Sequence, residues 1–230
     1  MSIILVSARM PQSMVYLQKR LGILKEPIIC YNGAYILRGT TEILSILIPI
    51  TAIEEIYVLA QKYDIRLGLY YKDEWYTPIL SERIKKEIHH TRATPIYEPT
   101  SVTLDQWKKK DIGAHKLMLM GTKKATDEIF EKLQLALSSS LHFYRSNDTL
   151  IEVAPKKISK HSAILQVLPK GLSMKDVIAF GDNYNDMEML EHAGYGVAMG
   201  NAREEVKQIA NYTTLKNTED GVALFIQEHL

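Results

Sequence analysis

Apolar positions follow two rhythms along this chain. Residues 3–6 (Ile-Ile-Leu-Val) form a short, β-branched-rich run without polar alternation. That pattern predicts a strand buried on both faces, as in a parallel sheet. Pro11 then opens a helical pattern that ends at Gly22, and Pro near a start with Gly past an end is the asymmetry helices favour. A second apolar run, Pro27-Ile28-Ile29-Cys30-Tyr31, stops at the turn signal Asn32-Gly33. Strand, helix and strand in that order are the grammar of an α/β fold.

The middle of the chain reads differently. Thr51 and Glu54 stand in capping-box positions and predict a helix over residues 51–63. Residues 66–71 and 74–77 read as hairpin strands joined at Lys72-Asp73. Helices are expected over 81–90, over 103–110 with Thr103 and Gln106 as a second capping box, and over 126–138. Strands are expected over 115–120, 141–145 and 149–153. This is an α+β pattern. After Pro155 the first grammar returns: a helix near Ser159, a strand over 176–180, a helix, and a short strand over 195–199. A helix capped by Asn201 and running to about Ala210, a strand over 212–215 and a helix opened by Thr218 complete the chain. The expectation is an α/β core from residues 1–40 and 156–230, split by an inserted α+β domain over 41–155.

Composition narrows the function classes. Hydrophobic residues make up 46% and charged residues 24%, with a formal net charge of +1, so no global field draws nucleic acid or anionic lipid. Any anionic ligand needs a local site. Lys108-Lys109-Lys110 and His89-His90 read as solvated helix surfaces, and no His or Cys spacing suggests zinc. The single cysteine, Cys30, reads as inert core, allows no intrachain disulfide and suits a reducing cytoplasm. The N-terminal run is too short, and lacks the basic flank, for a signal peptide, and no stretch approaches a membrane span. Tyr70, Tyr71, Trp75 and Tyr76 alternate between core and cleft.

The strongest chemical signal is Phe180-Gly181-Asp182-Asn183-Tyr184-Asn185-Asp186. An apolar strand ends, a glycine permits a tight turn, and two carboxylates follow before a helix. Ligands bind at the carboxyl ends of parallel strands, and carboxylates with an amide there make an oxygen-rich site suited to Mg²⁺. Asp182 and Asp186 could equally cap the following helix. Lys160 opens a helix where a point charge could hold a phosphoryl oxygen, or it is a solvated lysine. Ser7 ends the first strand, where a hydroxyl and nearby N–H groups could hold phosphate, or it is a simple cap-region serine. Asn32-Gly33 is by itself a turn.

Taken in order, these features resemble the haloacid-dehalogenase (HAD) superfamily, in particular its Cof-type, class IIB phosphatases. The resemblance rests on Val6-Ser7-Ala8-Arg9, Tyr31-Asn32-Gly33-Ala34, Ile158-Ser159-Lys160, the stretch from Gly181 to Leu190, and Gly196-Val197-Ala198-Met199-Gly200-Asn201-Ala202. It implies a HAD-like Rossmannoid core with an inserted α+β class II cap that closes over the site and excludes water. It implies Mg²⁺-dependent hydrolysis of a small phosphorylated metabolite such as a sugar phosphate. Ser7 would bond the phosphoryl oxygens, with Ala8, Arg9, Asn32, Gly33 and Asn185 contributing to substrate binding, and Lys160 would neutralise charge. Asp182 would ligate Mg²⁺, with Asn185 and Asp186 ligating it or orienting its waters. The oligomeric state stays open.

One departure matters more than these matches. The family's first motif, Asp-x-Asp-Gly-Thr, carries the nucleophilic aspartate on the first, central strand, and its second aspartate is the acid/base. Asp-x-Asp does not occur in these 230 residues. The expectation is a core without its first strand, with two edges left open, and an inactive or crippled phosphatase. A late start codon, a disrupted gene or an engineered deletion would explain that. The alternative is a product that binds phosphometabolites without turnover, or a structural relic of the same fold.

Overall fold

A computed structural model describes residues 2–229; Met1 and Leu230, the ends of the expected core segments, lie outside the described residues. The chain divides into two compact units, Met1–Ile158 and Ser159–Leu230.

The first unit opens with β1 (Leu5–Val6), α1 (Gln12–Leu21), β2 (Pro27–Cys30), β3 (Tyr35–Arg38) and β4 (Thr41–Ser45). Their sheet runs in the order β1-β2-β3-β4, with β1 and β2 parallel and the rest antiparallel. Gly22 ends α1 in the left-handed region at φ 71, as its position past the helix predicts. The apolar run of β2 is buried throughout. β1 is shorter than expected and only half-buried, with one strand neighbour among the described residues. The strands β3 and β4 had no signal in the pattern, and their sheet continues past residue 40, the expected domain boundary.

A larger sheet follows in the same unit. Its elements are α2 (Ile50–Gln61), β5 (Arg66–Tyr71), β6 (Glu74–Thr77), α3 (Glu82–Thr91), β7 (Ile96–Tyr97), α4 (Thr100–Lys110), β8 (Lys116–Met120), α5 (Lys123–Leu137), β9 (Leu141–Asn147) and β10 (Leu150–Pro155). The strand order is β7-β6-β5-β8-β10-β9. Side chains alternate along β8. Leu117 and Leu119 enter a core with Ile53, Ile56, Trp107, Ile129, Leu133, Ile151 and Val153, contributed by α2, α4, α5 and β10. Lys116, Met118 and Met120 take the opposite face, where the Tyr70 hydroxyl donates to Met118 Sδ at 3.0 Å. Tyr70 and Trp75 are buried, while Tyr71 and Tyr76 are half-buried.

Two expected caps are corrected here. Helix α2 starts at Ile50 behind Pro49 with no side-chain cap, so Thr51 and Glu54 lie inside it. Glu54 instead accepts from Lys108 Nζ at 2.8 Å. Helix α4 likewise starts early, behind Pro99. Thr103 and Gln106 both donate to the Glu98 carboxylate, at 2.7 and 3.0 Å. Pro49 and Pro99 stand at the two N-caps, about one turn or less before the threonines, which places Thr51 and Thr103 inside the helices.

The second unit contains α6 (Lys160–Leu165), β11 (Ile178–Gly181), α7 (Met187–His192), β12 (Tyr195–Ala198), α8 (Glu204–Ile209), β13 (Tyr212–Thr213) and α9 (Gly221–His229). Its three strands are parallel, in the order β11-β12-β13. Parallel neighbours need crossovers, and the one-and-a-half-turn helices α7 and α8 supply them. Among the described residues β11 has one strand neighbour, as β1 does. No described helix is long and apolar enough to cross a membrane.

Candidate active site

The end of β11 builds a buried polar cluster. After Gly181 the chain enters a 3-10 turn, Tyr184–Asp186, which directs the Asp186 side chain back toward the strand. Asp186 Oδ2 accepts the backbone N–H groups of Asp182 and Asn183, both at 3.0 Å. Its Oδ1 accepts Lys160 Nζ at 2.5 Å. Lysine and aspartate side chains are 9% and 6% exposed, so this is a buried ion pair. A buried pair is tolerable only when its remaining valences are filled, and here three donors converge on one carboxylate. Glycine is required at 181 because a Cβ there would lie 2.5 Å from Asp186 Cβ and 2.7 Å from its Cγ.

Lys160 is the first residue of α6 and is set by a capping box. Ser159 Oγ accepts from Ser162 N–H at 3.2 Å, and Ser162 Oγ accepts from Ser159 N–H at 2.9 Å. Asp182 is exposed, and its Oδ2 accepts from Asn201 Nδ2 at 3.0 Å. Asn201 Oδ1 in turn accepts the Asn217 N–H at 2.9 Å. Asn201 was expected to cap the next helix. Instead α8 begins after Arg203, and Asn201 holds the Asp182 carboxylate. Arg203 Nε donates to Asn183 Oδ1 at 3.2 Å, and its guanidinium lies over the Tyr184 ring. Asn185, half-buried, belongs to the same turn.

This donor set is all oxygen: the carboxylates of Asp182 and Asp186 and the amides of Asn183, Asn185 and Asn201. No group of three or more His, Cys, Asp or Glu poised for a metal occurs among the described residues. Two carboxylates and no soft ligand fit Mg²⁺, which keeps waters and shares substrate phosphates.

The remaining candidates gather in the first unit. Ser7 follows β1 and pairs its N–H with Ile29 O at 2.9 Å. Ser7 Oγ accepts the Arg9 N–H at 3.3 Å. Asn32 N–H donates to Ser7 O at 3.0 Å and Tyr31 N–H to Arg9 O at 3.1 Å, so Ser7-Ala8-Arg9 lies against the Asn32-Gly33 turn. Tyr31 and Asn32 both take left-handed backbone, at φ 52 and 57. Asparagine tolerates this, but a tyrosine there needs outside support. The Tyr31 hydroxyl donates to Lys72 O at 2.7 Å, and its ring stacks on His115 at 5.4 Å. His115 sits fully buried among Tyr31, Tyr35 and Tyr71. Its Nδ1 accepts the Lys72 N–H at 3.0 Å, which puts the ring proton on Nε2, 3.0 Å from Ser45 Oγ. Burial first, and the Lys72 charge second, push its pKa down to about 3. Burial also raises the Cys30 thiol pKa, as suits inert core.

The sequence candidates therefore form two groups: Ser7, Ala8, Arg9, Asn32 and Gly33 in one unit, and Lys160, Asp182, Asn185 and Asp186 in the other. The sequence motifs do not mark Asn201 as a partner of Asp182. Asn201 stood inside a quoted motif but was read as a cap.

The family model of haloacid dehalogenase-like hydrolases matches residues 1–226. The chain belongs to the haloacid dehalogenase-like hydrolases. A HAD-like hydrolase of Bacteroides thetaiotaomicron is 28% identical, with a TM-score of 0.87 over 99% of this chain and 86% of that one. A HAD subclass IIB sugar phosphatase, 23% identical, shares the fold at a TM-score of 0.81 over 99% of this chain and 85% of that one. The Bacillus subtilis 5-amino-6-(5-phospho-D-ribitylamino)uracil phosphatase YcsE is 39% identical over 121 residues, which are 51% of this chain and 49% of that protein. The matched stretch thus spans about half the length of that curated relative. HAD phosphotransferases generally use Mg²⁺, and the β11 turn carries donors of the type that ion prefers.

Proposed function

We propose that these residues form the Mg²⁺- and phosphate-binding part of a phosphomonoesterase for a small phosphorylated metabolite such as a sugar phosphate. We further propose that its nucleophile is not among them. The observation carrying this reading is the buried Lys160–Asp186 pair at the end of β11, with exposed Asp182 beside it. A lysine held this way is a fixed cation of the kind that stabilises a transferring phosphoryl group. Asp182 would hold Mg²⁺, with Asn185 and Asp186 ligating it or orienting its waters, and the ion would supply a counter-charge for phosphate oxygens. Ser7 would donate its hydroxyl proton to a phosphoryl oxygen, with Ala8, Arg9, Asn32 and Gly33 shaping that contact.

The domain reading accompanies it: a core from 1–40 and 156–230, and a cap over 41–155 that reads the leaving group. The large sheet supports this reading, since all its strands lie between Arg66 and Pro155. A reducing cytoplasm suits the single buried thiol, and the net charge of +1 speaks against nucleic acid as a partner.

A second reading has its own support. The chain contains no Asp-x-Asp, so it could bind a phosphometabolite without turning it over. One experiment separates the two. The chain is assayed for phosphate release from a broad ester panel with Mg²⁺, alone and fused to an N-terminal segment carrying Asp-x-Asp-Gly-Thr. The phosphatase reading expects release only from the fusion, abolished by Asp182→Asn. A folded fusion that releases nothing from any ester leaves the binding reading in its place.

A further inference from the structure

The backbone of the Ser7–Arg9 loop can be accounted for carbonyl by carbonyl. Ser7 O accepts the Asn32 N–H at 3.0 Å and Arg9 O accepts the Tyr31 N–H at 3.1 Å. Ala8 O, between them, accepts a side chain 108 residues away: Lys116 Nζ, at 3.2 Å. We propose that Lys116 is a positioning residue for this loop, a cation of the six-stranded sheet that fixes the carbonyl the backbone turn leaves open. The proposal rests on the proposed function through the role assigned there to Ser7.

Physical cost is the argument for a specific role. The Lys116 side chain is 6% exposed, in a strand buried at every position. On the same face of β8 the next two residues are Met118 and Met120. A third methionine would fill this row without burying an ammonium, which is expensive unless hydrogen-bonded or paired. What the lysine adds is the bond to Ala8 O. Two weaker contacts keep the charge in place: the Tyr70 ring, with Nζ 4.7 Å from its centroid, and Glu152 Oε1 at 4.0 Å. Both come from strands flanking β8, so the ammonium is aimed by the sheet itself.

The loop gains a definite geometry. With all three carbonyls fixed, Ser7 Oγ accepts the Arg9 N–H and its own proton stays available to a ligand oxygen. Freeing Ala8 O lets the Ala8–Arg9 peptide rotate, and that rotation removes the Arg9 donor from Ser7 Oγ. Lys116 acts on a bound anion only through the loop.

The test compares Lys116→Met, Lys116→Arg and, as a control at an exposed lysine, Lys109→Met. Calorimetry reads affinity for inorganic phosphate in Mg²⁺, and hydrogen exchange reads the Arg9 and Asn32 amides. Lys116→Met is expected to weaken phosphate binding about tenfold and to speed exchange at both amides. Lys116→Arg recovers both and Lys109→Met changes neither. If Lys116→Met fails to fold, Lys116→Gln serves, whose shorter amide cannot reach Ala8 O. A folded variant with wild-type exchange at Arg9 and Asn32 overturns the proposal, as does weakened binding that arginine does not recover. If the unaltered chain binds no phosphate, the functional reading fails, while the exchange measurement still decides the role of Lys116.

Discussion

In Ser159–Leu230 the candidate site is built on a side-chain ion pair, whereas in Met1–Ile158 the Ser7–Arg9 loop and the Asn32-Gly33 turn are held through their backbone. The β11 loop takes its partners from within its own unit: Asp186 binds Lys160 of α6 and two N–H groups of its own turn, and Asn201 holds Asp182. The Ser7 loop borrows its supports from Asn32, Tyr31 and Lys116, and the Tyr31 turn leans in turn on Lys72 and His115. Charged donors and acceptors bring strong bonds but demand complete pairing once buried. A loop held through backbone carbonyls avoids that demand within itself and pays in dependence on distant packing. Damage should therefore be local and severe in the second unit, and spread across elements in the first.

The largest expected effect is at the charged loop. Asp186→Ala strands the Lys160 ammonium and two N–H groups in a buried site and should cost about 3–5 kcal/mol in urea unfolding. A loss below about 1 kcal/mol would show the pair to be ornamental. In the first unit the matching probe is acid. The pKa of His115 falls from its ordinary 6.5 to about 3 on folding, so the neutral ring is the stabilised form. Its contribution is complete above pH 6.5 and is lost as pH falls from there toward 3. Over that window the loss should be on the order of 4 kcal/mol. His115→Phe should flatten the stability profile between about pH 6.5 and 5, where carboxylates of ordinary pKa remain ionised; an unchanged slope counts against the assignment.

Smaller effects sharpen the contrast. Gly181→Ala pushes a methyl group against Asp186 and should cost about 1–3 kcal/mol, with Lys160→Met already present reducing that cost because the carboxylate can then yield. Asn201→Ala should change stability by less than about 0.5 kcal/mol, since Asn201 is exposed, yet weaken Mg²⁺ binding severalfold in calorimetry by releasing Asp182. Equal Mg²⁺ affinity in that variant would remove Asn201 from the site.

The same contrast explains what the sequence could reveal. The charged loop was legible because its parts are near in sequence: Asp182, Asn183 and Asp186 within four residues, with Lys160 at a helix start 26 residues earlier. Apolar runs flanked by Gly and Pro placed β2, β8, β11 and α1 within a residue or two. The capping boxes at Thr51 and Thr103 failed because Pro49 and Pro99 start those helices earlier, leaving both threonines inside them. Asn201 bonds Asp182 rather than capping α8, and local spacing does not distinguish the two because a cap and a carboxylate partner use the same amide. The supports of the Ser7 loop were invisible for a different reason. Lys116 meets Ala8 across 108 residues, His115 meets Ser45 across 70, and Tyr31 meets Lys72 across 41. Periodicity reports on neighbours three, four or two residues away and carries no record of such partners.

Anion binding by this chain is expected to depend on a divalent cation held by Asp182. Titrating the chain calorimetrically with inorganic phosphate, with and without Mg²⁺, measures this directly. Saturable heat in the presence of Mg²⁺, lost without it and lost again in Asp182→Asn, is the expected result. Phosphate binding that ignores both the metal and Asp182, or no binding by a folded chain, would contradict it.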